Sequence, residues 1–383
     1  MTNIQTLNKI AVCGLSQFGE GYAFGDAIAS PAAILVRSAS LHELPLDPAT
    51  LAIARAGAGV NNVPVESCTA QGVVVFNTPG ANANAVKELV VAALFLSSRK
   101  VAEALTWCQT LKGKGDEVGK LVEKGKGAFG GPEIAGKTLG LVGMGAIGGL
   151  VANAAAALGM QVVGFDPYIS EAAKAQLDPR VELTGSREEL LAKSDYISLH
   201  APLTPETKGS INAAALAQSR DGVRILNFSR ADLVNSTDLL AALTSGKVAA
   251  YVTDFPTDDL LGVPGVTAIP HLGASTPESE DNCAVMAAQQ TKDFLETGAI
   301  KNSVNLPATQ LPAAFATRVT VIHKAQEGLP EAILATLGAA PVAFVTNTRA
   351  AVAYTVADLA APAADAAAKI AALDGVLRVR VLG

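Results

Sequence analysis

The sequence predicts an α/β protein: two doubly wound parallel-sheet domains, then a small α+β module of βαββαβ order. Three observations carry that prediction. In the first ninety residues, short apolar runs alternate with turns rich in Gly, Pro, Asn or Ser, the pattern of a parallel α/β unit. A second, stronger series of the same kind runs from Thr138 to about His271. The last seventy residues read strand, helix, two strands, helix, strand, the order of a separate small module.

In the first part, Lys9–Leu15, Ala32–Val36, Leu51–Ala56 and Val73–Phe76 read as buried strands. Ala83 to Ser98 reads as a long helix, because Val86, Leu89, Val90, Ala93 and Leu94 recur at helical spacing. Lys112 to Lys137, rich in Gly and Lys, reads as loop or broken helix. The second series has strands at Thr138–Val142, Gln161–Phe165, Tyr196–Leu199, Arg224–Phe228 and Ala249–Thr253. A helix opens at Ser275 or Thr276, with Pro277 in its first position and Glu278 in its first turn, and runs to about Thr297. Two prolines and no periodicity make Ser303–Ala314 a linker. The tail then gives strand Arg318–Ile322, helix Leu329–Leu337, strands Val342–Asn347 and Ala351–Asp358, helix Ala363–Leu373 and strand Val376–Val381. The expected domains are 1–96 with 276–304, 97–275 and 315–383, joined to the last by 305–314.

Composition narrows the class. Half of the 383 residues are hydrophobic, only 4% are aromatic, and 35 are glycine. A net charge of −6 argues against nucleic acid or an anionic membrane as the main partner. No residue from Thr138 to Phe165 is charged, which is long enough on paper to span a bilayer. Gly140, Gly143, Gly145, Gly148, Gly149, Gly159 and Gly164 break that run into strand, turn, helix and strand, so no membrane span is expected. Met1 to Asn8 is polar and carries no signal-peptide pattern. Cys13, Cys68, Cys108 and Cys283 show neither CxxC spacing nor metal-ligand grouping. Reduced thiols, a cytoplasmic location and no metal are the expectation.

The chemistry centres on Gly143-Met-Gly145-Ala146-Ile147-Gly148, a G-x-G-x-x-G run directly after a strand and opening an Ala-rich helix. Glycine permits the tight turn and close backbone approach, and the helix N-terminus offers N–H groups to a pyrophosphate. Asp166 stands at the tip of the next strand, where its carboxylate accepts from both ribose hydroxyls and repels a 2′-phosphate. Pro167 and Tyr168 follow, with no Arg or Lys, so the expected cofactor is NAD rather than NADP. Past later strands lie Asn227-Phe228-Ser229-Arg230, Asp254-Phe-Pro-Thr-Asp258-Asp259 and Pro270-His271-Leu-Gly273-Ala274. Together they supply a cation for a carboxylate, a carboxylate, and an imidazole base, which is what oxidation of a hydroxyl by hydride transfer needs. The full set of expected cofactor contacts is Thr78, Gly143, Gly145, Ala146, Ile147, Gly148, Asp166, His200, Ala201, Phe228, Ser229, Asp254, Gly273 and Ala274.

These motifs, with Val36-Arg37-Ser38, Arg55-Ala-Gly-Ala58-Gly59-Val-Asn-Asn62, Asn77-Thr78-Pro79-Gly80 and Gly136-Lys-Thr-Leu-Gly140, resemble the D-isomer-specific 2-hydroxyacid dehydrogenase family, and more narrowly its phosphoglycerate-oxidising branch. The resemblance implies a flavodoxin-like substrate domain and a Rossmann NAD domain in a homodimer or homotetramer. It implies oxidation of 3-phospho-D-glycerate to 3-phosphohydroxypyruvate, the first step of L-serine synthesis. His271 is then the acid/base and Arg230 the substrate anchor. Arg37 and Ser38 lie near the phosphate, and Ala58 and Gly59 near the carboxylate. The family's partner of the histidine is a glutamate; here Asp258 takes that position, or Asp259 if the register slips by one. The tail resembles an ACT domain, but His323-Lys-Ala-Gln-Glu-Gly328 departs from that module's ligand loop, leaving amino-acid sensing and assembly both open. Hydroxypyruvate reduction and non-catalytic NAD sensing are the alternative functions.

Overall fold

The computed structural model describes residues 1–361 and 365–383. The chain forms two compact units, Met1–Asn82 with Pro277–Gly383, and Ala83–Thr276.

The first unit opens with a parallel sheet of β1 (Thr2–Leu7), β2 (Tyr22–Gly25), β3 (Ala33–Val36), β4 (Ala52–Arg55) and β5 (Val74–Phe76), in the order β2-β1-β3-β4-β5. The helix Pro277–Thr297 lays Ala284, Ala287 and Ala288 on one face, against Ile4, Leu35, Ala54 and Phe76. Small residues bring it close. Ile34, Val36, Ile53 and Val75 fill the other face with Leu41, Val63 and Cys68. The strand expected at Lys9–Leu15 does not form. Residues Val12–Leu15 make a short helix, and a Cβ on Gly14 would lie 2.7 Å from Ala284 Cβ, so this apolar run serves a helix–helix contact instead.

The second unit has a seven-stranded parallel sheet: β6 (Thr138–Val142), β7 (Gln161–Phe165), β8 (Val181–Leu183), β9 (Tyr196–Leu199), β10 (Val223–Asn227), β11 (Val248–Thr253) and β12 (Val266–Ala268), ordered β12-β11-β10-β9-β6-β7-β8. The strand order reverses at β6, beside β9, the switch point where doubly wound sheets bind ligands. The helices Ala83–Arg99 and Ala146–Ala157 cover one face through Val86, Val90, Val151, Ala152 and Ala155. The helix Ala83–Arg99 therefore belongs to this unit, and the boundary expected at 96/97 falls inside it. Lys112–Lys137 is a broken helix, Val118–Gly125 between two 3₁₀ turns; neither the helix Val118–Gly125 nor the helix Val101–Gln109 buries a residue.

The tail returns to the first unit as an antiparallel sheet of β13 (Thr317–Lys324), β14 (Ala343–Arg349), β15 (Val352–Leu359) and β16 (Val376–Leu382), ordered β14-β15-β13-β16. Alternation splits β13 and β15 between two cores. Val319, Val321, Ala357 and Leu359 meet the helices Leu329–Thr336 and Ala366–Ala371, while Ile322, Tyr354 and Val356 join the core of the first sheet. The start expected for the next helix, Ala363, lies outside the described residues; among those described, the helix is Ala366–Ala371. The tail does not stand apart. Arg318 pairs with Asp358 at 2.6 and 2.8 Å and donates to the Thr297 carbonyl, while Arg380 donates to those of Phe294 and Leu295. These cations satisfy carbonyls at the negative end of the helix Pro277–Thr297. Asn305, in the expected linker, bonds with the Val73 carbonyl and the Val75 N–H.

Candidate active site

The chain leaves β6 at Gly143, whose φ of +96° suits glycine. A Cβ there would lie 2.7 Å from the His200 carbonyl carbon, and one on Gly148 would lie 2.1 Å from the Gly143 oxygen. These two positions are glycine because the chain itself demands it. Gly145 is different. Its φ of −70° and ψ of −161° suit any residue, and nothing lies within 4 Å of an added Cβ. Its bare backbone leads to the start of the helix at Ala146 and Ile147, where no side chain caps the first turn. Open N–H groups behind a glycine that the fold does not require make an anion cradle. Asp166 closes it: Oδ2 accepts the Met144 N–H at 2.8 Å and Oδ1 accepts that of Tyr168 at 2.9 Å.

Beside the loop, the His200 ring nitrogen Nε2 lies 2.9 Å from Ser198 Oγ, and burial pushes its pKa down to about 4, so the ring is neutral near pH 7. Ser229 Oγ donates to the Ala201 carbonyl at 2.7 Å, tying the ends of β9 and β10 together. Buried Phe228 packs beneath. Asn227, also buried, organises the next turn. Its Nδ2 donates to the Arg230 carbonyl at 2.9 Å, and its Oδ1 accepts the Ser229 N–H. Arg230 stands exposed, one Nη1 hydrogen bond holding it to the Ser229 carbonyl.

Asp254, at the end of β11, is 1% exposed. Its Oδ2 accepts the Gly273 N–H at 3.0 Å, and its Oδ1 has no partner. Burial raises its pKa, opposed by the Gly273 hydrogen bond and by attraction to His271. His271 is exposed and lies against Phe255, ring centroids 4.7 Å apart; Ala274 is half-buried two residues after the exposed Leu272. Asp258 and Asp259 do not take up the expected position. Both are exposed, Asp259 accepts from Thr257 Oγ1, and among the described residues neither forms a hydrogen bond or ion pair with His271. Loop Pro256–Asp259 projects into solvent, so the buried carboxylate that feels His271 is Asp254 instead.

The remaining expected residues lie in the first unit. Arg37 follows β3; its carbonyl accepts Arg55 Nε at 3.0 Å and its guanidinium pairs with Glu280. Asn8, at a φ of +69°, accepts the Ser38 and Ala39 N–H groups on Oδ1 at 2.9 and 2.7 Å. Gly57 begins the Ala58–Gly59 loop with a φ of +152°, and a Cβ there would overlap the Arg55 guanidinium. Asn77 Nδ2 donates to the Ala58 carbonyl at 2.7 Å. Thr78 is fully buried, its N–H on the Gly57 carbonyl and its Oγ1 unpartnered. Sequence reasoning missed Asn8, Asn227 and Glu280. The first two sit at strand ends, where an Asn side chain commonly ties a turn; Glu280 carries no sequence signal.

Residues 91–273 match the family model described as "D-isomer specific 2-hydroxyacid dehydrogenase, NAD binding domain". Similar curated proteins include the D-3-phosphoglycerate dehydrogenases of Mycobacterium tuberculosis, 39% identical over 73% of this chain and 52% of that one, and of Bacillus subtilis, 36% identical over 67% and 47%. The chain spans about half the length of the curated relatives it matches. Among solved structures, the NAD⁺-bound 3-phosphoglycerate dehydrogenase of Entamoeba histolytica is 26% identical with a TM-score of 0.61, covering 79% of this chain and 98% of that one. Rhodotorula graminis D-mandelate dehydrogenase, at 22% identity and a TM-score of 0.68 over 81% and 99%, shares the fold. The matched residues 91–273 lie within the second unit, Ala83–Thr276, so the similarity to that NAD-binding domain falls on the seven-stranded sheet.

Proposed function

We propose that the protein is an NAD-dependent dehydrogenase that oxidises 3-phospho-D-glycerate to 3-phosphohydroxypyruvate, the first step of L-serine synthesis. The observation that carries this reading is Gly145: a glycine without steric reason, in front of an uncapped helix N-terminus, with Asp166 beside it. The loop and helix start hold the pyrophosphate, and Asp166 holds the ribose hydroxyls. Bound NAD supplies the hydride acceptor. His271 takes the hydroxyl proton onto a ring nitrogen, and Asp254 stabilises the imidazolium that results. Arg230 anchors the substrate carboxylate by paired hydrogen bonds. Arg37 and Ser38 hold the phosphate, with Ala58 and Gly59 near the carboxylate. NADH formation with 3-phospho-D-glycerate, lost in His271→Ala, tests the assignment; full activity in that variant overturns it.

The tail's βαββαβ order supports an ACT-like module, here serving assembly. Self-association as a homodimer or homotetramer is supported by Val101–Gln109 and Val118–Gly125, two helices that bury nothing in the chain itself. A cytoplasmic location is supported by four free cysteines and by the lack, among the described residues, of a helix long and apolar enough to cross a membrane.

A further inference from the structure

We propose that Glu280 is a specificity-determining residue. Its carboxylate holds the Arg37 guanidinium in the unliganded chain, and an anionic group of the substrate must displace it to bind there. The inference rests on the reading of Arg37 as the phosphate anchor.

Four contacts fix the backbone from Arg37 to Ala39. Its carbonyl accepts Arg55 Nε, the next two N–H groups bind Asn8 Oδ1, and Asn62 Nδ2 holds the Ala39 carbonyl at 2.8 Å. From that held backbone the side chain reaches Glu280, where Nη2 meets Oε1 at 2.5 Å. Glu280 comes from the other end of the sequence, in the opening turns of the helix Pro277–Thr297, where the positive helix end favours a carboxylate. Both side chains are about 40% exposed (39% and 41%), and an ion pair so open to water is weak enough for a ligand to part it.

The charge arithmetic sets the selectivity. A substrate monoanion at Arg37 would exchange one carboxylate for another and gain little. A phosphate brings close to two negative charges and three acceptor oxygens, so it competes with Glu280 where a monoanion does not. Glu280 therefore weakens every anion at this position and leaves the phosphorylated ligand favoured.

The test uses the full chain with Glu280→Gln, Glu280→Ala as a second variant, and Arg37→Gln alone and combined with Glu280→Gln. Inorganic phosphate is titrated by calorimetry, and 3-phospho-D-glycerate and D-glycerate are compared in steady-state kinetics. Either Glu280 variant is expected to bind phosphate about tenfold more tightly than the parent, a difference of about 1.4 kcal/mol. The KM for the phosphorylated substrate falls in step, the gain lying in KM rather than kcat, and D-glycerate shows no comparable gain. Adding Arg37→Gln abolishes it. Misfolding cannot mimic a gain in affinity. Unchanged or weaker phosphate binding in both Glu280 variants, or a gain that survives Arg37→Gln, overturns the proposal. Should the parent oxidise neither acid, the assigned reaction fails, while the phosphate titration still decides the role of Glu280.

Discussion

Asp254 and Gly273 are joined by a 3.0 Å hydrogen bond from the Gly273 N–H to Oδ2, which ties a buried carboxylate to the backbone two positions after His271. The other oxygen, Oδ1, is buried without a partner. A protein interior rarely tolerates such an atom, and active sites are where it is tolerated.

Asp254→Asn is expected to trade activity for stability. The amide oxygen keeps the Gly273 hydrogen bond while the buried charge disappears, so stability at neutral pH rises by about 1 kcal/mol, or roughly 2–4 °C in Tm. The sign follows from burial: it raises the folded-state pKa of Asp254, so ionisation is unfavourable to folding and the stabilisation is lost as pH rises through that pKa. The advantage of the variant over the parent should vanish in acid, where Asp254 is protonated. Turnover should fall at least about tenfold, the order of a lost charge partner of an acid/base group. Thermal melts at two pH values, set beside kcat, check both halves.

Gly148 and Gly145 of the loop should separate by behaviour. Gly148→Ala collides with the Gly143 carbonyl at 2.1 Å and should lower Tm sharply. Gly145→Ala meets nothing within 4 Å and should melt like the parent, yet weaken NADH binding about tenfold or more by crowding the pyrophosphate. Fluorescence titration of NADH on the folded Gly145 variant reads this directly; undiminished affinity contradicts the cradle.

Asp166→Ala removes both the acceptor of the Met144 N–H and the charge that repels a 2′-phosphate. NADH affinity should drop by roughly 10- to 100-fold, with NADPH hardly affected, so the preference narrows or inverts. Parallel Kd measurements for the two cofactors suffice.

A half-buried and a buried histidine, His200 and His323, make the fold acid-sensitive. Burial lowers the pKa of His200 to about 4 and lowers that of His323, which bonds Thr355 Oγ1 through Nε2 at 2.9 Å. Both unfolded-state values lie near 6.5, so the unfolded chain binds more protons, and stability falls as pH drops below about 6.5. His200 alone accounts for up to ~3 kcal/mol by pH 4. Denaturation midpoints between pH 7 and 4 should decline less in His200→Gln than in the parent.

Arg318 is fully buried on Asp358, so Arg318→Ala strands a carboxylate among the tail's contacts and should cost about 3–5 kcal/mol. Chemical denaturation checks the magnitude.

How much of this was legible depends on where the information lies. Thr138–Val142, Gln161–Phe165 and Tyr196–Leu199 form as read, because strands buried on both faces are continuous apolar runs. Thr2–Leu7 escaped notice because only Ile4 is buried; neighbouring strands on both sides pair its backbone, and its side chains carry no run. The cofactor loop was legible since its glycines and Asp166 are local in sequence. Which carboxylate is buried was not: spacing places Asp254, Asp258 and Asp259 in one short stretch, and only packing decides that the first is buried and the other two exposed. Glu280 and Arg37 meet across 243 positions, a distance no local pattern bridges.

The central claim is tested most directly by following NADH formation from NAD and 3-phospho-D-glycerate, with a trap for the keto product, in the parent, His271→Gln and Arg230→Gln. The account predicts turnover in the parent, a loss of about 10²-fold or more in kcat for His271→Gln, and a mainly KM-borne loss for Arg230→Gln. No turnover in the parent with any 2-hydroxyacid despite tight NADH binding, or full turnover in His271→Gln, would contradict it.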